Sequence, residues 1–404
     1  MDKKERFFAT LNYEKTDRPA WWLGVPTEAA LPGLLSHFKC GGFKQLKQAV
    51  EKLSDRPFAA GQWEANLLPA RVNSYHPGLL DKLLSSGEVF WRLSYEGLSF
   101  HAYADVDWDA DIDQHLNSAK PDTDEQMVIQ FLKKRGASFI SALSAEKEEY
   151  GQRPLQEVLF SLMEKGLIHA DSFTPVRIWP EKSKNDKLSP RRRAAVRAAT
   201  ISSGRWDILR PLKPQNIDER LNRAFDKVGL LSRETAAPLT GVSWAEALEA
   251  LRTWEYTGRA RRGYFVEGLS GAQYIREDAY AGIIQGLEHP ADKVIWLAAS
   301  DPNQAWGKIL AYDPDRQFTG VPGTAVALKK GVPAAVFERK GHTLRVFDES
   351  AIAETLTAFA EAFRKRSIFP ALTRVTVKQY PDTAVQALVD AGFKQDMLDY
   401  ELHR

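Results

Sequence analysis

A basic turn at residues 258–274 is the part of the sequence best suited to chemistry; it has the sequence GRARRGYFVEGLSGAQY. Arg259, Arg261 and Arg262 lie between glycines, and Tyr264 begins the β-prone stretch that follows. Arginines on a hairpin can bind phosphate oxygens or enter a minor groove, and an exposed aromatic ring can stack on a base. The alternative is a solvated turn followed by a strand with buried aromatics. We favour nucleic-acid contact at this turn.

A second basic stretch covers residues 181–213, which contain ten bases and three acids. It includes the consecutive Arg191, Arg192 and Arg193, and further along the pair Arg205-Trp206. Such a stretch could follow a DNA backbone, and its affinity would then fall as the salt concentration rises. A solvated linker whose Trp206 packs on the next module is an equally good interpretation. The sequence leaves both open.

Other catalytic and metal-binding motifs are missing from the sequence. No GxxxxGK[ST] phosphate loop occurs, so ATP hydrolysis is not expected from this chain. The eight histidines form no HExxH pair, and with a single cysteine, Cys40, no metal site is expected. Asp396 and Asp399 could act beside a flipped nucleotide, but surface acids are far commoner and no motif selects either one. The catalytic residue, if there is one, is unknown.

Composition indicates an ordinary globular chain of several units. With 404 residues and 44% apolar residues, two to four small cores are expected. No apolar run approaches the roughly 20 residues that span a bilayer, and the start of the sequence shows no signal peptide. We therefore expect a cytoplasmic protein with no membrane partner.

The helix and strand patterns recur along the chain and predict repeated modules. Helices followed by a short β hairpin, the order of a winged helix, are predicted for residues 59–120, 121–180 and 205–280. A basic linker is predicted at 181–204, a helical extension at 1–58, and a β-rich domain at 281–404. The predicted fold class is therefore α+β, with tandem winged-helix domains followed by a β-rich, barrel-like α+β domain.

Several of these stretches resemble the C-terminal region of Lhr-type, or large helicase-related, superfamily-2 DNA helicases. The resemblance is carried by WEANLLPARVNSYHPGLLDKLLSSGEVFW, RGASFISAL, GLIHADSFTPVR, SGRW and RARRGYFVEGLSGAQY, which lie in order between residues 62 and 275. It implies DNA as the partner, a role in repair, and either uracil-DNA glycosylase activity or homo-oligomerisation as an alternative. The ATP-driven motor is absent from this chain, so no cofactor is expected here; ATP and magnesium would serve only the parent helicase.

The N-terminal stretch resembles a different family. RFFATLNYEKTDRPAWWLGVPTEAALPGLLSHF is similar to the start of uroporphyrinogen decarboxylase-like proteins. Their (β/α)₈ barrel needs about 250 residues, so this fragment cannot carry that activity. We expect it to form only the helical extension.

Overall fold

The first described module is a set of helices followed by a hairpin. A computed structural model describes residues 41–144, 153–179 and 204–404. Helix α1 (Gly41–Leu53), the short α2 (Ala60–Gln62) with its π-helical continuation Trp63–Leu67, and α3 (Pro77–Ser85) precede the hairpin. Proline at the first turn favours helix initiation at α3, because its fixed φ suits a helix and its missing N–H would have had no partner.

The hairpin of the first module consists of β1 (Val89–Ser94) and β2 (Gly97–Ala102). The strands are antiparallel and in register from Val89 opposite Ala102 to Ser94 opposite Gly97. Gly97 has a φ of +138°, and a Cβ there would lie 2.6 Å from the carbonyl oxygen of Phe58. The turn therefore requires glycine, because any side chain would collide with that main chain.

The second module contains α4 (Ile112–Ser118), α5 (Thr123–Arg135), α6 (Leu155–Glu164) and α7 (Thr174–Ile178). Its sheet has the order β3-β5-β4, and the strands are β3 (Ser138–Phe139), β4 (Ile168–Ala170) and β5 (Arg205–Ile208). The sequence predicts that residues 205–208 begin the third module. In the structure they form β5, which pairs with both other strands of the second module, and Trp206 lies opposite Ser138 and Ala170.

The first two modules share one hydrophobic core. Side chains of α1, such as Leu46 and Val50, lie in the same buried cluster as Trp91 of β1 and Trp206 of β5. Helix α1 falls within the predicted extension 1–58, but it is part of this core. The predictions for residues 1–40 and for the linker 181–204, apart from Gly204, lie outside the described residues.

The third module has the full order of a winged helix. Its elements are α8 (Ile217–Val228), β6 (Leu230–Leu231), α9 (Arg233–Thr240), α10 (Trp244–Tyr256), β7 (Ala260–Gly263), β8 (Gln273–Arg276) and α11 (Glu277–Glu288). The sheet order is β6-β8-β7, and the helices pack over a separate core around Leu221, Leu251 and Trp254. A capping box between Asn216 and Glu219 starts α8 by satisfying main-chain N–H groups at its first turn.

The C-terminal domain is α+β, as the sequence predicts, but its described strands form two small open sheets instead of a closed barrel. The elements are β9 (Val294–Ala298), β10 (Ala325–Lys329), β11 (Val332–Glu338), β12 (Thr343–Val346), α12 (Ile352–Arg364), β13 (Arg374–Val377), α13 (Val385–Asp390), β14 (Lys394–Asp396) and β15 (Asp399–His403). The first sheet is antiparallel with the order β12-β11-β10-β9, and the second has the order β13-β15-β14. Phe359 of α12 packs on Trp296 and Phe337 and joins the helix to the first sheet. Within the three described ranges, no helix has both the length and the apolarity to cross a bilayer.

Candidate nucleic-acid interface

The basic turn forms the hairpin that the sequence predicts. Strands β7 and β8 pair antiparallel from Ala260 opposite Arg276 to Gly263 opposite Gln273. Residues 259–276, which comprise Arg259, the two strands and the loop 264–272 between them, are called the wing here. Of the four residues proposed for DNA contact in this module, Arg259, Arg261 and Arg262 lie at or in β7, and Tyr264 begins the loop.

Arg259 is fixed at the surface by two neighbours. Its guanidinium carbon lies 3.9 Å from the centre of the Trp254 ring, and Nη1 donates to Asp218 at 2.7 Å. The indole N–H of Trp254 donates to the other oxygen of the same carboxylate. Hydrogen bonds from Arg259 and Trp254 hold the pKa of Asp218 below its usual value. The side chain of Arg259 stays 45% exposed, so a phosphate can still reach it.

Arg261 makes a bidentate ion pair with Glu277. Nε and Nη2 each donate to a different carboxylate oxygen at 2.6 Å, and the guanidinium group also lies over the ring of Tyr280. The hydrogen bond from Arg261 lowers the pKa of Glu277. Both partners are about half exposed, and ion pairs of this kind contribute about 0–1 kcal/mol. The pair neutralises Arg261 but does not bury it.

Arg262 and Tyr264 are the most available of the proposed wing residues. Both are exposed, and Arg262 has no carboxylate within ion-pair distance among the described residues. The Tyr264 ring is 77% exposed, whereas the neighbouring Phe265 packs edge-on against Tyr280. Phe265 therefore packs inward, as expected for a strand with buried aromatics. Tyr264 faces solvent, as nucleic-acid contact requires.

The loop of the wing is held by the buried side chain of Gln273. Its Oε1 accepts from the main-chain N–H groups of Phe265 and Val266, both at 2.8 Å, and Nε2 donates to the Val266 carbonyl at 2.7 Å. Gly263 allows this course, because a Cβ there would lie 2.5 Å from the Phe265 ring. The first half of the loop therefore has a defined conformation.

The second half of the loop is tied to helix α9. The carboxylate of Glu234 accepts from the N–H of Ser270 at 3.0 Å and from the Ser270 hydroxyl, and its other oxygen accepts from the Ser232 hydroxyl. Partial burial opposes ionisation, but hydrogen bonds from Ser270 and Ser232 outweigh it and lower the pKa of Glu234 to about 2. This anchor is charged throughout the neutral range.

The third helix of this module, α10, is poorly suited to a DNA groove. In helix-turn-helix proteins this helix enters the major groove. Its exposed positions here include Glu246, Glu249 and Glu255, against one base, Arg252. Carboxylates facing the phosphate backbone are repelled. The electrostatics thus favour the wing over α10 as the contacting element.

The third helix of the first module, α3, is covered by the second module. Arg177 of α7 donates to Glu64 at 2.8 and 2.9 Å, to Asp81 of α3 at 2.8 Å and to the Pro77 carbonyl. The N–H of Phe173 donates to Asp81 as well. These contacts occupy the start of α3, so in this arrangement it is not free to enter a groove. This role of Arg177 could not be predicted from the sequence, because its partners are about 100 residues away.

Trp206 and Arg205, the proposed DNA contacts next to the linker, differ in their exposure. Trp206 is fully buried, but in the core that the first two modules share and not on the next module, and its ring offers no stacking surface. Arg205 remains half exposed and pairs with Asp171 at 2.8 Å. The DNA contact predicted for Trp206 is therefore corrected, because a ring enclosed on all sides cannot meet a base. Arg191, Arg192 and Arg193 lie outside the described residues.

The hairpin, its helices and its basic surface define a winged-helix protein. Two family models agree: both are described as winged-helix domains of large helicase-related protein, the third matching residues 22–100 and the fourth residues 212–293. The first of these matches begins inside the predicted N-terminal extension, and α1 packs in the core of that domain.

Two curated proteins are similar over most of the chain. One, from Escherichia coli strain K12, is named Lhr helicase/uracil glycosylase and is 27% identical over 91% of this chain. The other, from Mycolicibacterium smegmatis, is named Lhr helicase/probable uracil glycosylase and is 29% identical over 79% of this chain. The chain is thus related to the C-terminal region of Lhr-type helicases. It spans only 27% and 23% of the lengths of these relatives.

Proposed function

We propose that this chain binds DNA as the C-terminal part of an Lhr-type repair helicase, without the ATP-driven motor. The observation that carries the proposal is the wing of the third module, where Arg262 and Tyr264 are exposed beside Arg259 and Arg261. Guanidinium groups bind phosphates through several N–H donors, and a tyrosine ring can stack on an unpaired base.

The surface ion pairs of the wing are compatible with this role. Arg259 and Arg261 exchange one anionic partner for another when a phosphate replaces Asp218 or Glu277. Because exposed pairs of this kind are weak, the exchange costs little. The pairs meanwhile hold both guanidinium groups in a fixed orientation.

A salt titration tests the proposal. Binding to labelled duplex and single-stranded DNA is measured by fluorescence anisotropy at increasing salt, and the affinity should fall steeply. Replacing Arg259, Arg261 and Arg262 together with glutamine should weaken binding by about tenfold and reduce the salt dependence. Lys134 and Lys394, two exposed lysines outside the wing, provide the control substitutions. Binding that is independent of salt, or unchanged in the triple variant, rejects the wing as the contact.

A second candidate function is the excision of uracil from DNA. It is supported by the two relatives, whose names include uracil glycosylase. No catalytic residue is assigned to it in this chain. Incubation with a uracil-containing oligonucleotide, without ATP, followed by alkaline cleavage of abasic sites, decides the matter. If the folded protein binds DNA but produces no abasic sites, uracil excision is rejected as a function of this chain.

Two further properties belong to the proposal. Because the ligand would be chromosomal DNA, we place the chain in the cytoplasm, with no resident cofactor of its own. Homo-oligomerisation is the third alternative, and sedimentation velocity with and without DNA tests it. Strong self-association in a protein that binds no DNA would favour an assembly role over DNA binding.

A further inference from the structure

An open cleft lies where the first module, the third module and the C-terminal domain meet. We call it the junction cleft. It contains two neighbouring cavities of about 560 Å³ and about 730 Å³, and Lys227 of α8 lines both. Basic side chains of the first and third modules line the cleft; they are Lys52, Arg56, Arg71, Lys213, Arg220, Arg223 and Lys227.

Several of these cations are held by main-chain carbonyl groups instead of carboxylates. Lys52 donates to the Asp226 carbonyl, and Lys213 donates to the Ala104 carbonyl at 3.0 Å. Arg220 donates to the carbonyls of Gln215 and Thr240 at 3.1 and 3.0 Å. A carbonyl oxygen orients a cation but does not cancel its charge. These side chains are therefore positioned and still positive.

Arg56 and Lys227 are crowded by other cations. Arg56 stacks 5.2 Å from the centre of the Phe58 ring and makes no carboxylate ion pair among the described residues. Lys227 donates to the Ser54 carbonyl at 2.6 Å and lies 3.3 Å from Asp55. Burial, followed by repulsion from Arg223 and Arg56, lowers the pKa of Lys227 although Asp55 opposes the shift. An anion entering the cleft would relieve this repulsion.

Three acids line the cleft, Glu51, Glu96 and Asp55, and the last of these is already shared. It accepts from Nδ1 of His101 at 3.0 Å and from Arg223 at 3.1 Å, as well as facing Lys227. Burial disfavours its charge, yet His101 and the two cations hold the pKa of Asp55 well below its usual range. Arg223 also takes both oxygens of Asp105, at 2.6 and 3.0 Å. Asp55 and Asp105 thus neutralise Arg223. Lys52, Lys213 and Arg220 form no ion pair with these two acids or with Glu51 and Glu96, which also line the cleft.

We propose that the junction cleft binds the phosphodiester backbone of a single DNA strand, an inference that rests on the DNA binding proposed above. Cavities of 300–1,000 Å³ accommodate ligands about the size of a nucleotide. A duplex, whose grooves are about 12 and 6 Å wide, is wider than a cavity of nucleotide size, so we expect only a single strand to enter the cleft. Tyr95 is 96% exposed at the hairpin tip, and its hydroxyl donates at 3.1 Å to Glu96 of the cleft lining, so its ring could stack on a base next to the cleft.

The test compares three variants with the wild-type chain. The cleft variant is Lys52→Gln with Arg56→Gln, which removes two positive charges without breaking a carboxylate ion pair. The control, Lys134→Gln with Lys394→Gln, removes two exposed charges outside the cleft. The wing variant combines Arg262→Gln with Tyr264→Ala. Circular dichroism and thermal melting establish that each variant is folded.

Binding is measured with a fluorescein-labelled oligothymidylate and with a labelled hairpin duplex at several salt concentrations. The cleft variant should bind oligothymidylate about tenfold more weakly, and its salt slope should be smaller by about 1.4, because each single-strand phosphate contact contributes about 0.7. Duplex affinity should change much less. The control variant should match the wild type.

The outcomes distinguish a failure of the cleft proposal from a failure of the proposed function. If the wild type binds DNA and the wing variant loses binding while the cleft variant keeps its affinity for oligothymidylate, the cleft proposal is overturned and the proposed function stands. If the wild type binds neither probe, both fail. Inorganic phosphate is the last probe, and its binding is measured by calorimetry: if the cleft variant loses affinity for phosphate but keeps its affinity for oligothymidylate, the cleft is a small-anion site and the strand assignment is overturned.

Discussion

Arg71 of the first module and Asp301 of the C-terminal domain form a bidentate ion pair, with both N–O distances at 2.8 Å. Asp301 is fully buried, and the Arg71 side chain is 16% exposed. The N–H of Asn303 donates to the same carboxylate. Two units 230 residues apart in sequence are thus joined by a charge pair that is mostly removed from water.

Replacing Arg71 with methionine should destabilise the protein by about 3–5 kcal/mol, because it leaves the Asp301 carboxylate buried without its cation. The urea unfolding midpoint, followed by tryptophan fluorescence, measures the change. Adding Asp301→Asn to the Arg71→Met background removes the unpaired charge and should restore part of the stability. A double variant no more stable than Arg71→Met would show that the loss comes from packing and not from charge.

The wing was predictable from sequence because its signals are local. Glycines that bound a run of arginines and a β-prone aromatic pair predict a hairpin, and residues 258–274 form one. The partners that neutralise the arginines were not predictable. Asp218 is 41 residues from Arg259, and nothing in the sequence around it marks it as a partner.

The pairing of strand β5 could not be predicted from the sequence either. Residues 204–206 carry a glycine, an arginine and a tryptophan next to a basic stretch, which is a composition typical of a surface segment. Their strand instead completes a sheet begun at Ser138, more than 60 residues earlier, and this pairing buries Trp206. A side chain's exposure depends on which distant strand it meets, and one sequence does not specify that strand. The tandem winged-helix class was predictable because helix order and hairpin spacing are repeated in the chain.

Glu277→Gln should strengthen DNA binding. The substitution removes the carboxylate that Arg261 otherwise gives up when it binds a phosphate, so binding no longer has to break that ion pair. Duplex affinity should rise severalfold, because an exposed pair of this kind contributes about 0–1 kcal/mol. Glu249→Gln on α10 is the matched control, since it also removes one exposed acid. An equal gain from Glu249→Gln would mean that α10 lies near the DNA and that the wing is not the main contact.

Gln273→Met should loosen the wing without unfolding the module. The side chain is 1% exposed and makes three hydrogen bonds to the main chain of Phe265 and Val266. Losing a buried polar partner of this kind costs about 1–3 kcal/mol. Hydrogen–deuterium exchange should accelerate at residues 264–267, and DNA binding should weaken. Gln285→Met, at an exposed position of α11, is the control and should change neither measurement.

The stability of the first two modules should depend on pH through His169. The imidazole is buried among Phe90, Trp91 and Tyr103, and burial lowers the pKa of His169 to about 4. A histidine in an unfolded chain has a pKa of about 6.5, so between these values the unfolded state binds a proton that the folded state does not. Stability is therefore full above pH 6.5 and decreases as the pH falls towards 4, by an amount on the order of 3 kcal/mol.

Urea unfolding at several pH values between 4 and 8 measures this dependence. His169→Phe keeps an aromatic ring in the same surroundings but cannot take up a proton, so its unfolding midpoint should vary less across that range than that of the wild type. His289→Phe, which changes an exposed histidine at the end of α11, is the control and should keep the wild-type slope. If His169→Phe shows the same slope as the wild type, the acid sensitivity arises from other groups and burial of His169 does not account for it.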